Sequence, residues 1–378
     1  MLNPGEFFNF LNSENINFFT GVPDSLLKSF CGYISDHSSE ASHIIAANEG
    51  GAIGIGIGYH LATGKIPMVY MQNSGLGNAV NPLLSLADKE VYSIPMIILI
   101  GWRGEPDIKD EPQHIKQGKA MLPMIESMGM DYEILTGSMS EDQKIVKSII
   151  KKALKAQGPV FLIAKKGLFE SYEYNQIDHK ATDGTSLSRE EVIKQIIPSL
   201  PKNTLIVATT GMASREIFEL REYECSDHGF DFLTVGGMGH ASQIAFGLAL
   251  QSSKENIVCI DGDGAAIMHL GSMAINGQFA SKNFKHILLN NGAHDSVGGQ
   301  PTVGFDINFS NVAKSFGYNV IISEIDKSIP LLINDLIEMR GPAFLELKTN
   351  RGSRPDLGRP TKTPLENKDL FMKNSINS

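Results

Sequence analysis

The chain has 378 residues, of which 42% are hydrophobic and 20% are charged, and its formal net charge at pH 7 is -9. This length favours two domains of ordinary size, and the acidic balance argues against a nucleic-acid partner, which would need a basic face. A membrane partner is not expected, because the longest apolar stretch, residues 94–102, is about half the length that crosses a bilayer. A small anionic substrate is compatible with this charge, since a few arginines can dominate one cleft.

The first half of the chain alternates helix and strand patterns. In chain order we predict a helix over 4–14, a short strand within 16–24 that ends in a turn at 21–24, a helix, a strand over 43–47, a small-residue helix over 48–64, a strand over 66–72, a helix over 75–87, a strand over 94–102, a helix over 140–158 that stops at Gly158, and a strand over 159–164. Apolar strands separated by helices of ten or more residues are typical of parallel sheets covered on both faces.

The second half restarts with a capping-box spacing, Ser188 and Glu191, which predicts the start of a helix. Strands are predicted over 203–210, 231–237, 255–264, 284–291 and 342–349, with helices between them. The sequence therefore predicts an α/β protein with two tandem doubly wound parallel-sheet domains. We place the first domain at 1–168, a linker at 169–187, and the second domain, with an Arg/Pro-rich C-terminal tail, at 188–378.

The N-terminal segment and the cysteines indicate a cytoplasmic protein. Residues 1–19 have no basic flank and no cleavage site, and their apolar side chains recur at helical spacing, so we expect a helix and not a signal peptide. Cys31, Cys225 and Cys259 lie far apart without CxxC spacing. We expect reduced, mostly buried thiols, and neither disulfides nor a zinc site.

Two polar side chains end consecutive apolar strands of the second domain. Asp263 lies between Gly262 and Gly264, and Asn291 ends the strand that follows. Ligands on doubly wound sheets bind at the carboxyl ends of the strands, and Mg²⁺ prefers oxygen ligands together with phosphate oxygens. The sequence predicts a magnesium-diphosphate site, with the carbonyl of Ala293 as a third protein ligand. A GDG triplet alone is more often only a turn.

The GDG and Asn-Asn motifs resemble the diphosphate-binding motif of thiamine-diphosphate enzymes. The resemblance implies the fold of that family, with a pyrimidine-type domain first and a diphosphate-type domain second. It also implies that Gly236 offers its carbonyl to the 4′-amino group of the cofactor and that Met238 supports the bent cofactor. An ordinary core methionine is the less favoured alternative for Met238. By the same resemblance, Thr210 and Gly211 contact the cofactor.

The same family uses a glutamate from the other type of domain to hold a proton on N1′ of the aminopyrimidine. Glu49 matches this position, since it follows a predicted strand and opens a helix of small residues. Taken alone, a glutamate in the first turn of a helix is explained by the helix dipole. The family builds its sites at subunit interfaces, so the resemblance implies a homo-oligomer, at least a dimer.

The chain has no room for the cofactor-free middle domain that most decarboxylases of this superfamily carry. Its short form resembles the phosphonopyruvate decarboxylase family over essentially its full length, as in "NNGAHDSVGGQPT" and "TNRGSRPDLGRPT". This implies thiamine-diphosphate- and Mg²⁺-dependent, non-oxidative conversion of 3-phosphonopyruvate to 2-phosphonoacetaldehyde and CO2, in biosynthesis of the 2-aminoethylphosphonate type. Sulfopyruvate decarboxylases share much of this framework and are the alternative.

An anionic 2-oxo acid requires cations and proton donors in the site. Arginine's planar fork suits tetrahedral oxyanions, and the candidates in Gly/Pro-rich loops after strands are Arg103, Arg351, Arg354 and Arg359. Each one is equally well explained as part of a solvated basic loop. The candidates for proton transfer, in loops expected near the cleft, are Asp24, His114 and His294; a structural role accounts about as well for either histidine.

Two rival functions stay open at this point. A nicotinamide-dependent oxidoreductase also uses glycine-rich turns after strands, but the glycines after Glu49 lie inside a helix and no strand-GxGxxG-helix unit is present. A non-catalytic thiamine-diphosphate protein would be expected to have lost one of Glu49, Asp263 and Asn291.

Overall fold

The computed structural model describes residues 1–174, 187–252, 254–323 and 328–376. The chain divides into two compact units, Met1–Ile177 and Asp178–Ser378. Of the predicted linker 169–187, residues 175–186 lie outside the described residues, and the predicted domain boundaries stay predictions.

The first unit is built on a six-stranded parallel sheet with strand order β2-β1-β3-β4-β6-β5. Its strands are β1 (Phe19–Gly21), β2 (His43–Ile45), β3 (Met68–Gln72), β4 (Met96–Gly101), β5 (Tyr132–Ile134) and β6 (Pro159–Ala164). Its helices are α1 (Pro4–Ser13), α2 (Lys28–His37), α3 (Glu49–Thr63), α4 (Leu76–Pro82), α5 (Pro112–Ser127) and α6 (Met139–Ala156), with a 3₁₀ turn at Asn73–Gly75 and a π-helical turn at Leu83–Ala87.

Helices cover both faces of this sheet because its central strands are apolar on both faces. On β4, Ile97 and Leu99 pack into one buried cluster with residues of α1, α2 and α6. Ile98 and Ile100, which alternate with them, pack into a second cluster with residues of α3, α4 and α5. Side chains that alternate along a strand point to opposite faces, so a continuous apolar run requires two covering layers.

The second unit repeats this architecture on a parallel sheet with strand order β13-β14-β10-β9-β7-β8. Its strands are β7 (Leu205–Ala208), β8 (Asp231–Leu233), β9 (Ile257–Gly262), β10 (Phe284–Asn290), β13 (Asn319–Ile321) and β14 (Ala343–Lys348), and a two-stranded ribbon pairs β11 (Ala293–His294) with β12 (Gln300–Pro301). Its helices are α7 (Arg189–Ser199), α8 (Met212–Tyr223), α9 (Ala241–Gln251), α10 (Asp263–Met268), α11 (Leu270–Phe279), α12 (Phe309–Phe316), α13 (Ile329–Glu338) and α14 (Pro364–Ile376), with a 3₁₀ turn at Asp295–Val297.

The predicted fold class is confirmed, and so is the predicted start of the second half. Ser188 caps α7 in a reciprocal capping box with Glu191, whose carboxylate accepts a hydrogen bond from the Ser188 backbone at 2.7 Å. Two buried clusters cover the second sheet, one on each face.

The structure corrects three local predictions. Helix α6 ends at Ala156, and its C-cap is Gln157 and not Gly158, because Gln157 itself adopts the left-handed conformation (φ 53°) while its side chain donates to Leu154 O at 2.7 Å. His114 lies in the first turn of helix α5, where the sequence predicts a loop. Helix α10 begins at Asp263, whereas the strand pattern was predicted to run through this residue.

The helices and the cysteines of the structure can be compared with the predictions on membrane spans and disulfides. Within the described residues, no helix combines the length and the apolar character that a membrane span requires. All three cysteines are free; Cys31 and Cys259 are buried, and Cys225 is exposed.

Candidate active site

The carboxyl ends of β9 and β10 lie side by side in the second unit. The two strands are parallel neighbours, with Leu289 opposite Gly262. Asp263 therefore follows one strand and Asn291 the other, at the same edge of the sheet. Both are buried, at 1% and 3% exposure. The predicted placement of these two residues at adjacent strand ends is confirmed.

The Asp263 carboxylate is buried among neutral partners. It accepts a hydrogen bond from the Thr302 hydroxyl, and the Asn291 backbone N–H points at its Oδ1 at 3.4 Å. Burial raises the pKa of Asp263 to about 6, against the lowering effect of these hydrogen bonds. A bound cation would supply the compensating charge that its hydrogen-bond partners do not.

The loop after β10 brings further oxygen atoms to the same place. The Asn290 side chain donates to Gly304 O at 2.8 Å, which holds the far end of the loop against the start. A Cβ at Gly304 would overlap the side-chain oxygens of Asp263 and Asn290, so only glycine permits this close approach. Ala293 begins the ribbon strand β11 and lies within the same loop.

Asp263, Asn291 and Ala293 line one cavity of the second unit. Its walls include seven residues predicted from the sequence as cofactor or metal contacts, together with His294: Thr210, Met238, Gly262, Asp263, Gly264, Asn291 and Ala293. Gly264 leaves room for the His294 ring and the Met238 side chain, since a Cβ there would lie 2.9 Å from the ring and 3.4 Å from the methionine.

Two predicted cofactor contacts, Gly211 and Gly236, are not among the described residues that line the cavity. Gly211, beside Thr210, has φ 103°, and a Cβ on it would lie 3.4 Å from Ser296, a wall residue. Gly236 lies two residues before Met238 and is not among the described residues that line the cavity.

The donor set of the cavity fits a hard cation with a diphosphate. Asp263 offers a carboxylate, Asn291 a carboxamide and Ala293 a carbonyl, and Mg²⁺ selects such oxygen ligands. A different group, Cys259, Asp261 and His286, lies in the core with its potential ligand atoms within 4.8 Å of one another. Its thiol and imidazole are of the softer type that Mg²⁺ does not prefer. The oxygen set is therefore the one that fits magnesium.

In the first unit, Glu49 is held at the start of α3. Asn48 caps this helix by accepting the Gly51 N–H at 2.8 Å. Glu49 is 5% exposed, and its Oε2 accepts a hydrogen bond from Asn78 Nδ2 at 2.8 Å. A Cβ at Gly75 would overlap the Glu49 carboxylate. Gly75 therefore permits the orientation in which this side chain is found.

If Glu49 has the catalytic role that the resemblance implies, Gly75→Ala is expected to lower kcat by about 10–100-fold, because the added methyl group must displace its carboxylate and small misplacements of catalytic groups have effects of this order. The measurement is steady-state CO2 release from the 2-oxo acid that the resemblance implies. Gly77→Ala is the matched control, because a Cβ at Gly77 meets nothing within 4 Å. Equal activity of both variants would show that the Glu49 orientation does not depend on Gly75.

The other predicted residues of the first unit form one cluster. Asp24 is fully buried, and burial raises its pKa to about 6, although the nearby Arg103 guanidinium opposes the rise. Arg103 donates to Asp110 through Nε at 2.8 Å and to Ser25 Oγ at 2.7 Å. Burial and the Arg103 charge lower the pKa of His114 to about 4. Asp110, which pairs with Arg103, was not predicted from the sequence.

The predicted arginines of the C-terminal tail have different surroundings. Arg351 donates from Nη2 to Gly292 O at 3.0 Å, next to the loop that carries Asn291. Arg354 is surrounded by the carboxylates of Glu190, Glu219 and Asp356. Arg359 is exposed. Of these three arginines, Arg351 has a described hydrogen bond to the loop that carries Asn291.

Sequence reasoning missed three polar residues of this site: Arg189, Asp295 and Thr302. Arg189 and Asp295 line the cavity, and Thr302 donates to Asp263. Asp295 and Thr302 fall within the segment "NNGAHDSVGGQPT", but nothing in its pattern separates them from loop residues. Arg189 lies about a hundred positions earlier, and no local signal relates it to the site.

Comparisons with known proteins identify the family of the chain. The family model described as "Thiamine pyrophosphate enzyme, N-terminal TPP binding domain" matches residues 6–122, and the corresponding C-terminal TPP binding domain matches residues 209–347. The chain is 31% identical to a phosphonopyruvate decarboxylase of Streptomyces viridochromogenes, over 92% of this chain and 88% of that protein. It is equally similar, 31% over 92% and 87%, to one of Streptomyces hygroscopicus. It is 28% identical to a sulfopyruvate decarboxylase of Methanosarcina acetivorans, over 80% and 79%.

These matches define the class of the protein as a thiamine-diphosphate-dependent carboxy-lyase with two cofactor-binding domains in tandem. Within that class, the chain belongs to the family that contains the phosphonopyruvate decarboxylases. The predicted family, enzyme class and organic cofactor are confirmed at this level. The metal ion, the substrate and the individual residue roles stay predictions.

Proposed function

We propose that the protein catalyses the Mg²⁺-dependent, non-oxidative decarboxylation of 3-phosphonopyruvate to 2-phosphonoacetaldehyde and CO2. The observation that carries the choice of substrate is the similarity to two phosphonopyruvate decarboxylases over nearly the whole chain. Sulfopyruvate is the second candidate, because a sulfopyruvate decarboxylase is also similar over most of its length.

Asp263, Asn291 and the Ala293 carbonyl would hold Mg²⁺, and through it the diphosphate of the cofactor. The buried Asp263 carboxylate supports this role, since its described hydrogen-bond partners carry no charge. Thr210, Gly211, Gly236, Met238, Gly262 and Gly264 would contact the organic part or the diphosphate. When bound, thiamine diphosphate supplies an electron sink for the electron pair that departing CO2 leaves behind.

Glu49 would hold a proton on N1′ of the aminopyrimidine. Its low exposure supports this role, because a charge-assisted hydrogen bond is stronger where water is excluded. Glu49 and Asp263 belong to different units, and we retain the homo-oligomer that the resemblance implies as part of the proposal. The cytoplasmic location and the role in phosphonate biosynthesis are likewise retained.

Among the candidates for proton transfer, Asp24 has the pKa best suited to donating a proton. A catalytic pKa near the working pH favours proton donation, and the pKa of Asp24 is about 6. The pKa values of His114 and His294 are lowered to about 4, mainly by burial. Both imidazoles are therefore neutral at pH 7, which suits hydrogen bonding or proton acceptance.

Arg351 is the first candidate for binding the second anionic group of the substrate. It donates to Gly292 O, in the loop that carries Asn291. Arg103 and Arg354 are further candidates from the sequence. Arg359 is exposed and completes the set of four. Arginine binds tetrahedral oxyanions through paired hydrogen bonds.

The substrate is tested by comparing kcat/KM for phosphonopyruvate, sulfopyruvate and pyruvate with one enzyme preparation. We expect phosphonopyruvate to be preferred by about ten-fold or more, which corresponds to ~1.4 kcal/mol of differential transition-state binding. Omission of Mg²⁺ with a chelator present should abolish turnover of all three. A preference for sulfopyruvate would overturn the substrate and leave the cofactor intact.

A further inference from the structure

The Asn291 carboxamide is held at both ends. Its Nδ2 donates to Asp295 Oδ2 at 2.6 Å, and its Oδ1 accepts the Ala293 backbone N–H at 3.2 Å. A carboxylate can only accept, so the bond to Asp295 determines which end of the amide carries the oxygen. The Asn291 oxygen is consequently turned away from Asp295, and it is the atom that a cation would require.

Asp295 is itself fixed by two further donors. Its Oδ2 accepts Arg189 Nη1 at 2.9 Å and the Gly352 backbone N–H at 3.1 Å. Arg189 is held on its other side by Glu216, through two hydrogen bonds of 2.9 Å. The side chains of Arg189 and Asp295 are only 8% and 7% exposed. A buried pair of this kind has a defined geometry, unlike a pair at the surface.

We propose that Asp295, oriented by Arg189, is a positioning residue that fixes the Asn291 carboxamide in its cation-binding orientation. The proposal rests on the proposed function, since it concerns the same cation site. Groups that hold a metal ligand through a hydrogen bond typically change metal affinity by about 10–100-fold when they are removed. Asp295 reaches the site through Asn291 and, in this assignment, does not bind the cation itself.

The test measures binding of Mn²⁺, as a paramagnetic substitute for Mg²⁺, at saturating thiamine diphosphate. The signal of free Mn²⁺ in electron paramagnetic resonance gives the dissociation constant without any turnover. Asp295→Ala is expected to weaken Mn²⁺ binding by about 10–100-fold. Asp295→Asn can still accept a hydrogen bond from Asn291 through its amide oxygen and should stay within about three-fold of wild type.

Two variants separate positioning from other effects. Glu216→Gln disturbs the buried Arg189, which orients Asp295, without touching Asn291, so it should weaken Mn²⁺ binding, but less than Asp295→Ala does. Asp306→Ala removes an exposed carboxylate of the same unit, controls for the change in net charge and should leave Mn²⁺ affinity unchanged. If Asp306→Ala weakens binding as much as Asp295→Ala does, net charge is responsible and the proposal is overturned.

Failure of this proposal can be distinguished from failure of the proposed function. If the wild-type protein binds no Mn²⁺ with thiamine diphosphate, the cation site itself is wrong. If the wild type binds and a folded Asp295→Ala binds equally well, Asp295 has no positioning role. Should Asp295→Ala fail to fold, Asp295→Glu keeps the charge beside Arg189 but shifts the carboxylate by one methylene. Undiminished Mn²⁺ affinity in that variant would likewise overturn the proposal.

Discussion

Asp263→Ala is expected to lower kcat/KM by about a thousand-fold or more, because Asp263 is the only charged ligand of the proposed cation and such charge stabilisation is worth several kcal/mol. The measurement pairs CO2 release with a calorimetric titration of the protein with thiamine diphosphate and Mg²⁺. The binding heat should disappear together with the activity.

The cofactor-free Asp263→Ala protein should remain folded. Asp263 is buried among neutral partners, and ionisation of a buried carboxylate opposes folding, so its removal relieves a cost. A melting temperature equal to or above that of cofactor-free wild type would separate loss of the cation from loss of the fold. Retained cofactor binding in Asp263→Ala would contradict the assignment of this residue.

Glu49→Gln has the second largest expected effect, a fall in kcat of about 10²–10⁴-fold, the usual contribution of a positioned proton-transfer group. Glutamine can accept the hydrogen bond from Asn78 in place of Glu49, so the local structure should persist. Affinity for thiamine diphosphate should change much less than kcat. Glu40→Gln, at an exposed position of the same unit, is the control. Turnover within a few-fold of wild type would mean that Glu49 does not activate the cofactor.

Mixing the two inactive variants extends the Glu49 experiment to the oligomer. If sites are shared between subunits, a dimer of one Glu49→Gln chain and one Asp263→Ala chain contains one intact site and one doubly altered site. Random reassembly should then restore about a quarter of wild-type activity, because half of the dimers are mixed and half of their sites are intact. No recovery after verified subunit exchange would contradict sites shared between chains.

The sequence predicts most of this fold because both sheets are parallel and buried. Strands such as β4 and β10 come from short, strongly apolar runs between turn residues, a pattern typical of a strand covered on both faces. Strand β5 was missed since all three of its residues are half-buried and it pairs only with β6, at the sheet edge. Helix α5 was missed because two of its four buried positions, His114 and Gly118, are not apolar side chains. The first half of the helix therefore lacks the apolar periodicity that predicts a helix.

The site residues fall into two groups: those that a sequence motif identifies, and those that only tertiary packing brings to the site. Asp263 and Asn291 could be placed together because each ends a strand and those strands are neighbours. Asp295 and Arg189 could not, because their relation depends on a contact between positions 106 residues apart. Similarly, the pairing of Arg354 with Glu190 and Glu219 reflects the path of the tail, which no local pattern specifies.

Each sheet is covered on both faces by helices of its own unit. Neither core therefore needs side chains from the other half to be complete, so the peptide connection between the halves has another role. By keeping the two halves on one polypeptide, it guarantees equal amounts of each. Separately expressed halves would consequently have to be matched in amount by their expression.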